Sequence, residues 1–211
     1  MFAVIFEVLP RPGRMDRYLA LAASLRPELE RIPGFVSVQR FSGVARPGWL
    51  LSLSFWRDEA ALTRWRAHAH HHAAQNAGRH EVFEDYHLRV GQVIADAAPG
   101  GPVATPARRT AYNAPDAASP GFVRITEAAT VPAPPEAGER WDSLATPGRS
   151  AWIAAGADEA ASLAWQARAL PALAGEARLR VVEVERDYGM FRREQAPQFY
   201  PPVAPEPAPA G

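Results

Sequence analysis

The chain has no cysteine, which excludes disulfides, thiolate nucleophiles and cysteine-ligated zinc or iron–sulfur centres. It also lacks an excess of either charge. Its 23 basic and 23 acidic residues give a formal net charge of +0, with no basic stripe to neutralise phosphates, so nucleic acid is not an expected partner. Long apolar runs are missing too. The N-terminal MFAVIFEVLP has no basic leader, meets Glu7 early and stops at Pro10, so it reads as a strand and not as a signal peptide. Nothing approaches the roughly 18 apolar residues of a membrane span. The expectation is a cytoplasmic protein with no membrane partner.

What is present is a globular composition. With 211 residues and 47% hydrophobic content, the chain could fold as one large domain or as two small ones, each with a core. Residues 2–9 form an apolar run rich in β-formers, ended by Pro10-Arg11-Pro12-Gly13. Tyr18, Leu21, Ala22, Leu25 and Leu29 then recur at helical spacing over residues 15–31, with Pro27 as a kink or break, and Pro33-Gly34 stops them. Residues 35–42 alternate, Phe35, Ser37, Gln39 and Phe41 against Val36, Val38, Arg40 and Ser42. After Pro47-Gly48, Leu51, Leu53 and Phe55 alternate with serines. A helix over 56–79 follows, and residues 82–94 return as a strand. The order β-α-β-β-α-β is a ferredoxin-like unit, and its α+β sheet needs a second sheet to cover its apolar face.

That second sheet is expected from the same chain. Residues 97–120 are an Ala-, Pro- and Gly-rich linker, and from 121 the pattern resumes in degraded form. Pro147-Gly148 echoes Pro47-Gly48, Asp158-Glu159-Ala160-Ala161 echoes Asp58-Glu59-Ala60-Ala61, and Trp165 sits where Trp65 does. Glu127 echoes Glu7, which in so apolar a strand would be costly if buried unpaired, and a strand end near solvent is the expected place for it. The expected boundaries are a first domain at 1–96, the linker, a degenerate second repeat at 121–195 and a proline-rich tail at 196–211. The second repeat is expected to have room only for a short helix around residues 136–144, to lack the second strand and to lose the end of its main helix. Any chemistry is therefore expected in the first half. The two sheets either close a barrel within one chain, or two first halves pair between chains as a homodimer.

The helix over 56–79 carries the candidate site. Asp58 and Glu59 open it, and Gly78-Arg79 close it. Leu62, Trp65, Ala69, Ala73 and Asn76 make one inward stripe, and His68, His72, Gln75 and Arg79 flank it at steps of three and four. Trp65 reads either as core or as a pocket wall. His68 and His72 share a face at i, i+4, but no HExxH arrangement is present, so a solvated or pocket-edge cluster is expected and no metal. His71 projects away from the stripe. His72 or His68 is the candidate base, since imidazole titrates near working pH. Gln75 and Arg79 either cap the helix end or orient a phenolate or carbonyl.

In the first half, SFWRDEAALTRWRAHAHHHAAQNAGR and FEDYHLRVGQV resemble the antibiotic biosynthesis monooxygenase (ABM) domain family, which includes heme-degrading monooxygenases. ADEAASLAWQARAL and RLRVVEVERDYGMFRREQAP in the second half look like that family's helix and terminal strand. The resemblance implies ferredoxin-like units packed as a dimeric α+β barrel. It implies a cavity between helices and sheet, and oxidation of a small aromatic, quinol- or anthrone-type molecule by O2 without a cofactor. Substrate contacts would come from Trp65, Gln75, Arg79, Phe6, Phe55 and Tyr86, with His72 or His68 as the base. Heme is the alternative cofactor. Heme-degrading members use a Trp on this helix, a His ten residues later and an Asn on the first strand. Those positions hold Trp65, Gln75 and Phe6. A ligand-binding or structural barrel without catalysis is a further reading.

Overall fold

The computed structural model describes residues 1–101, 121–129, 138–173 and 177–197. Most of the expected linker and nearly all of the proline-rich tail lie outside the described residues. The first half runs β1 (Phe2–Pro10), α1 (Met15–Leu29), β2 (Phe35–Gly43), β3 (Leu50–Trp56), α2 (Glu59–Arg66), α3 (Ala69–Ala77) and β4 (Phe83–Ala97). The second runs β5 (Gly121–Ala129), β6 (Glu139–Ser143), β7 (Arg149–Gly156), α4 (Glu159–Ala169) and β8 (Arg178–Gly189). The strands close one antiparallel barrel in the order β1-β3-β2-β6-β7-β5-β8-β4. Within it each half keeps the ferredoxin-like order, β4-β1-β3-β2 and β8-β5-β7-β6.

Of the two arrangements left open by the sequence, the structure has the intrachain one. A long seam joins β4 to β8, from His87↔Gly189 to Ala97↔Leu179. A short seam sets Phe41, Ser42 and Gly43 of β2 opposite Ser143, Asp142 and Trp141 of β6. Closure leaves neither sheet with a free edge. Gly91 is what lets the long seam close. A Cβ there would lie 2.1 Å from the Glu183 carbonyl oxygen, a backbone atom that cannot rotate away. Gly91→Ala should therefore cost about 1–3 kcal/mol, as overpacking does, measured as a lower denaturant midpoint.

The strand β6 overturns the expected helix at 136–144 and the expected loss of the second strand. Trp141 points into the barrel core and is fully buried, while Arg140 and Asp142 beside it face outward and pair with each other at 2.8 Å. Burying one indole on a two-residue period makes this segment a strand.

The barrel interior is filled by Ile5, Phe41, Leu53, Ile125, Trp141 and Ile153, among others. Phe55 belongs here. It points into the barrel beneath the Arg180 guanidinium (3.9 Å to the ring) and is 2% exposed, so the structure contradicts its expected place in a substrate pocket. Period-two alternation puts Phe55 on the face opposite Ser54 and Trp56, which are the residues turned toward the helices.

Glu7 is likewise corrected. It is buried, not at a solvated strand end, and pairs with both Arg46 and Arg89. Its counterpart Glu127 pairs with Arg180 and accepts from Gln39 at 3.3 Å. Arg46 also holds Glu139 of the second half and stacks between Trp49 (4.7 Å) and Trp141 (4.8 Å). These pairs tie the halves together by charge as well as by backbone.

Candidate active site

On the outer face of the first-half sheet, α1, α2 and α3 leave a cavity of about 240 Å³. Typical ligand sites are roughly 300–1,000 Å³, so this one suits a small molecule. Its wall includes Val4 and Phe6 of β1 and Tyr86, Leu88 and Val90 of β4, while Ala3, Ile5 and Val93 of the same strands face the barrel core. Phe6 and Tyr86 meet there at 5.7 Å between ring centroids, and Phe83 sits edge-on to Phe6 at 5.9 Å. Trp65 of the helical side also lines it.

The helix expected over 56–79 is two helices and a π-helical turn at Gly78–Val82. Asp58 caps α2, its carboxylate accepting from the Ala61 amide at 2.8 Å. The break comes at Ala67-His68, where His68 is extended (φ −64°, ψ 129°). Two contacts support it. The Trp65 carbonyl accepts from the His71 ring at 3.0 Å, and the His68 and His70 rings lie 3.4 and 2.8 Å from Glu28 on α1. The break changes the phase of the second helix, so Ala69, Ala73 and Asn76 are exposed and the expected stripe ends at Trp65.

The same phase change rearranges the histidines. His72 is exposed, and His68 faces Glu28; neither lines the cavity. His71, expected to project away, lies against the indole of Trp65 with ring centroids 4.4 Å apart and planes 18° apart, and it lines the cavity. Because a carbonyl only accepts, His71 Nδ1 carries the proton and Nε2 keeps its lone pair. Burial pushes the His71 pKa down from 6.5 to about 4, so it is neutral at pH 7 and a weak base.

That depressed pKa has a sign for stability. The unfolded chain binds the proton below pH 6.5 and the folded chain does not, so the contribution of neutral His71 is complete above 6.5 and lost as pH falls toward 4. The slope is about 1.4 kcal/mol per pH unit across that window. Urea midpoints compared at pH 7 and pH 4.5 should show this loss in the native chain and less of it in His71→Phe, which keeps the stack.

The cavity gathers Phe6, Trp65, Gln75, Arg79 and Tyr86 of the sequence-predicted contacts. Gln75 Nε2 lies 3.3 Å from His71 Nδ1. Arg79 is buried in the π-helical turn and donates to the Tyr86 hydroxyl at 3.0 Å. Gly78 is not a left-handed helix stop; a Cβ there would meet the Phe83 ring at 2.4 Å, so its smallness admits that ring.

Five further lining residues come from beyond the first half: Glu185, Arg186 and Tyr188 on β8, and Arg193 and Pro197 after it. The β4–β8 seam brings them across, so the cavity of the first half is completed by the last strand of the second. Glu185 is half-buried, and burial together with the charge of Glu59 pushes its carboxyl up to about 7. Burial pushes the Tyr188 phenol up to about 12 and keeps it protonated. In the second half itself the equivalent space is packed. Trp165 on α4 is 2% exposed among Phe122, Ala169, Leu173 and Leu179.

Gln75 and Phe6, where heme-degrading members carry His and Asn, both line the cavity, and neither supplies an iron ligand. Among the described residues no group of three or more His, Asp or Glu side chains is placed to hold a metal ion, and no helix is long and apolar enough to cross a membrane.

The chain is thus an eight-stranded α+β barrel with helices on its outside and, among the described residues, a largely apolar cavity beneath them that carries a few polar side chains. The antibiotic biosynthesis monooxygenase family profile matches residues 1–77. Jasmonate monooxygenase ABM of Pyricularia oryzae (strain 70-15) is 41% identical over 225 residues, spanning 97% of this chain and 100% of that protein. The chain belongs to the antibiotic biosynthesis monooxygenase family. YqjZ, an uncharacterized protein of Bacillus subtilis (strain 168), is 34% identical over 78 residues, covering 37% of this chain and 60% of its own length. Among solved structures, an antibiotic biosynthesis monooxygenase aligns at 22% identity and a TM-score of 0.39, covering 43% of this chain and 95% of that one.

Proposed function

We propose that the protein is a monooxygenase that works in the cavity beside Trp65 on a small cyclic substrate of the jasmonate kind, with O2 as oxidant and no resident cofactor. The observation that carries this reading is the end-to-end relationship to a jasmonate monooxygenase at 41% identity, in a chain whose family-matched segment supplies much of the cavity wall. The lining supports it: apolar walls bind a ring system, and water is largely displaced when they are filled.

Monooxygenation places one oxygen atom of O2 on the substrate and releases the other as water, which takes two electrons and two protons. An anthrone or a quinol supplies those electrons itself: the anthrone's activated methylene and O2 give a carbonyl and water, and a quinol and O2 give a hydroxyquinone and water, each in balance without a reductant. The aromatic wall of Phe6, Tyr86 and Trp65 favours that second reading. A substrate with no activated hydrogen requires an external two-electron donor.

In either case a group in the cavity must exchange protons. We assign that role to Glu185, because a proton-transfer group works best with a pKa near the working pH, and a His71 pKa of about 4 is too low. Neither His68 nor His72 reaches the cavity wall. His71 and Gln75 hold the indole and its neighbours in place, and Trp65 with Phe6 grips the ring.

The test is incubation of the protein with jasmonic acid, and separately with an anthrone and a quinol, under 18O2, with and without reduced nicotinamide. One 18O atom in the product, lost on Trp65→Ala, is expected. No labelled product from any of the three with either electron supply contradicts the assignment.

A further inference from the structure

We propose that Arg79, Tyr86 and Arg193 form a carboxylate-binding subsite at one end of the cavity, so that the substrate is an anionic amphiphile held by its acid group there and by its ring against Phe6 and Trp65. This deepens the reading above and rests on it for the location of the substrate.

Arg79 lies in the π-helical turn of the first half and is only 3% exposed. Arg193 lies beyond β8 in the second half. Both guanidiniums donate to the same atom, the Tyr86 hydroxyl oxygen. That oxygen has two lone pairs and both are used, so the hydroxyl's own hydrogen is left to donate toward a third group. A carboxylate matches this triad: it accepts in-plane pairs from arginine and a further bond from a phenol.

The wider lining points the same way. Among the described residues around the cavity, five are arginines (40, 66, 79, 186 and 193) and two are glutamates, Glu59 and Glu185. A partly desolvated cavity with that balance attracts an anion. The second-half arginine is also held in place. The Met190 amide donates to the Tyr86 carbonyl at 3.1 Å, and the Asp187 amide donates to the Gln195 side chain at 2.7 Å, folding the segment after β8 back over the cavity. An aromatic end and a cationic end within one small space select a ring bearing an acid.

The experiment titrates the full chain at pH 7.5 with two pairs of probes, following tryptophan fluorescence and calorimetry: jasmonic acid with its methyl ester, and 1-naphthaleneacetic acid with its amide. Charge-assisted hydrogen bonds are worth about 1.5–3 kcal/mol, so each acid should bind about 10- to 100-fold more tightly than its neutral partner. Arg193→Gln, Arg79→Gln and Tyr86→Phe should each reduce that ratio while affinity for the neutral partner changes little. Arg193→Gln is the decisive variant, because Arg193 is only part-buried and its loss does not open the core. Equal affinities within both pairs, or an acid preference unchanged in Arg193→Gln, overturn the subsite. If jasmonic acid fails to bind while the naphthalene acid is preferred over its amide, the subsite stands and the jasmonate-type function falls.

Discussion

Turnover by Glu185→Gln is expected to fall by about 10²- to 10⁴-fold, the usual contribution of a positioned proton-transfer group. The wild-type rate should rise with pH through about 7 and then level, because burial and the charge of Glu59 raise this carboxyl and only its ionised form accepts a proton. The variant should lack that limb. A neutral amide of the same shape preserves packing, so the comparison reads proton transfer and not collapse of the wall. His68→Ala and His72→Ala should turn over near the wild-type rate, since neither imidazole lines the cavity. A Glu185→Gln enzyme with the native rate and the native pH limb would remove Glu185 from the mechanism.

The second large effect is on stability. Glu7→Ala leaves the largely buried Arg89 without its Glu7 partner, and it loosens Arg46, which also grips Glu139 across the halves. Breaking a buried pair from one side costs about 3–5 kcal/mol, because the remaining charge stays desolvated. For a chain of this size that is a fall of roughly 6–20 °C in Tm. Glu127→Ala should do the same through Arg180. Exposed pairs such as Arg26–Glu30 should contribute within about 1 kcal/mol when removed.

We read the two halves as copies of one unit whose second member lost its cavity. The paired positions support this in detail. Asp58 and Asp158 cap their helices alike, accepting from Ala61 at 2.8 Å and Ala161 at 2.7 Å. Glu7 pairs with Arg89 as Glu127 pairs with Arg180. Trp65 and Trp165 open toward a cavity in one half and lie in packed core in the other.

Much of the first half was legible because its information is local. Alternation in residues 35–42 and in the serine-spaced strand after Trp49 set the faces, and Pro-Gly pairs set the turns. Apolar residues on both faces of β1 called for a covering sheet. What escaped the sequence depends on contacts distant along the chain. Nothing in AHAHHH breaks a helix by propensity. The break at His68 comes with Glu28, about forty residues earlier, and with a ring that captures a backbone carbonyl. Glu185 and Arg193 were missed for a related reason: their place at the first-half cavity is set by the β4–β8 register, and no spacing within either half encodes it. The strand β6 did carry a signal, since Trp141 between Arg140 and Asp142 alternates, but the short interval before Pro147-Gly148 suggested room only for a short helix.

A crystal structure of the full chain with jasmonic acid bound tests the central claim most directly, namely that the second half completes the reaction chamber of the first. The ring should lie against Phe6 and Trp65, within reach of Glu185, with β8 forming one wall. A ligand seated beside Trp165, or bound with β8 and Arg193 making no contact to it, would contradict that claim.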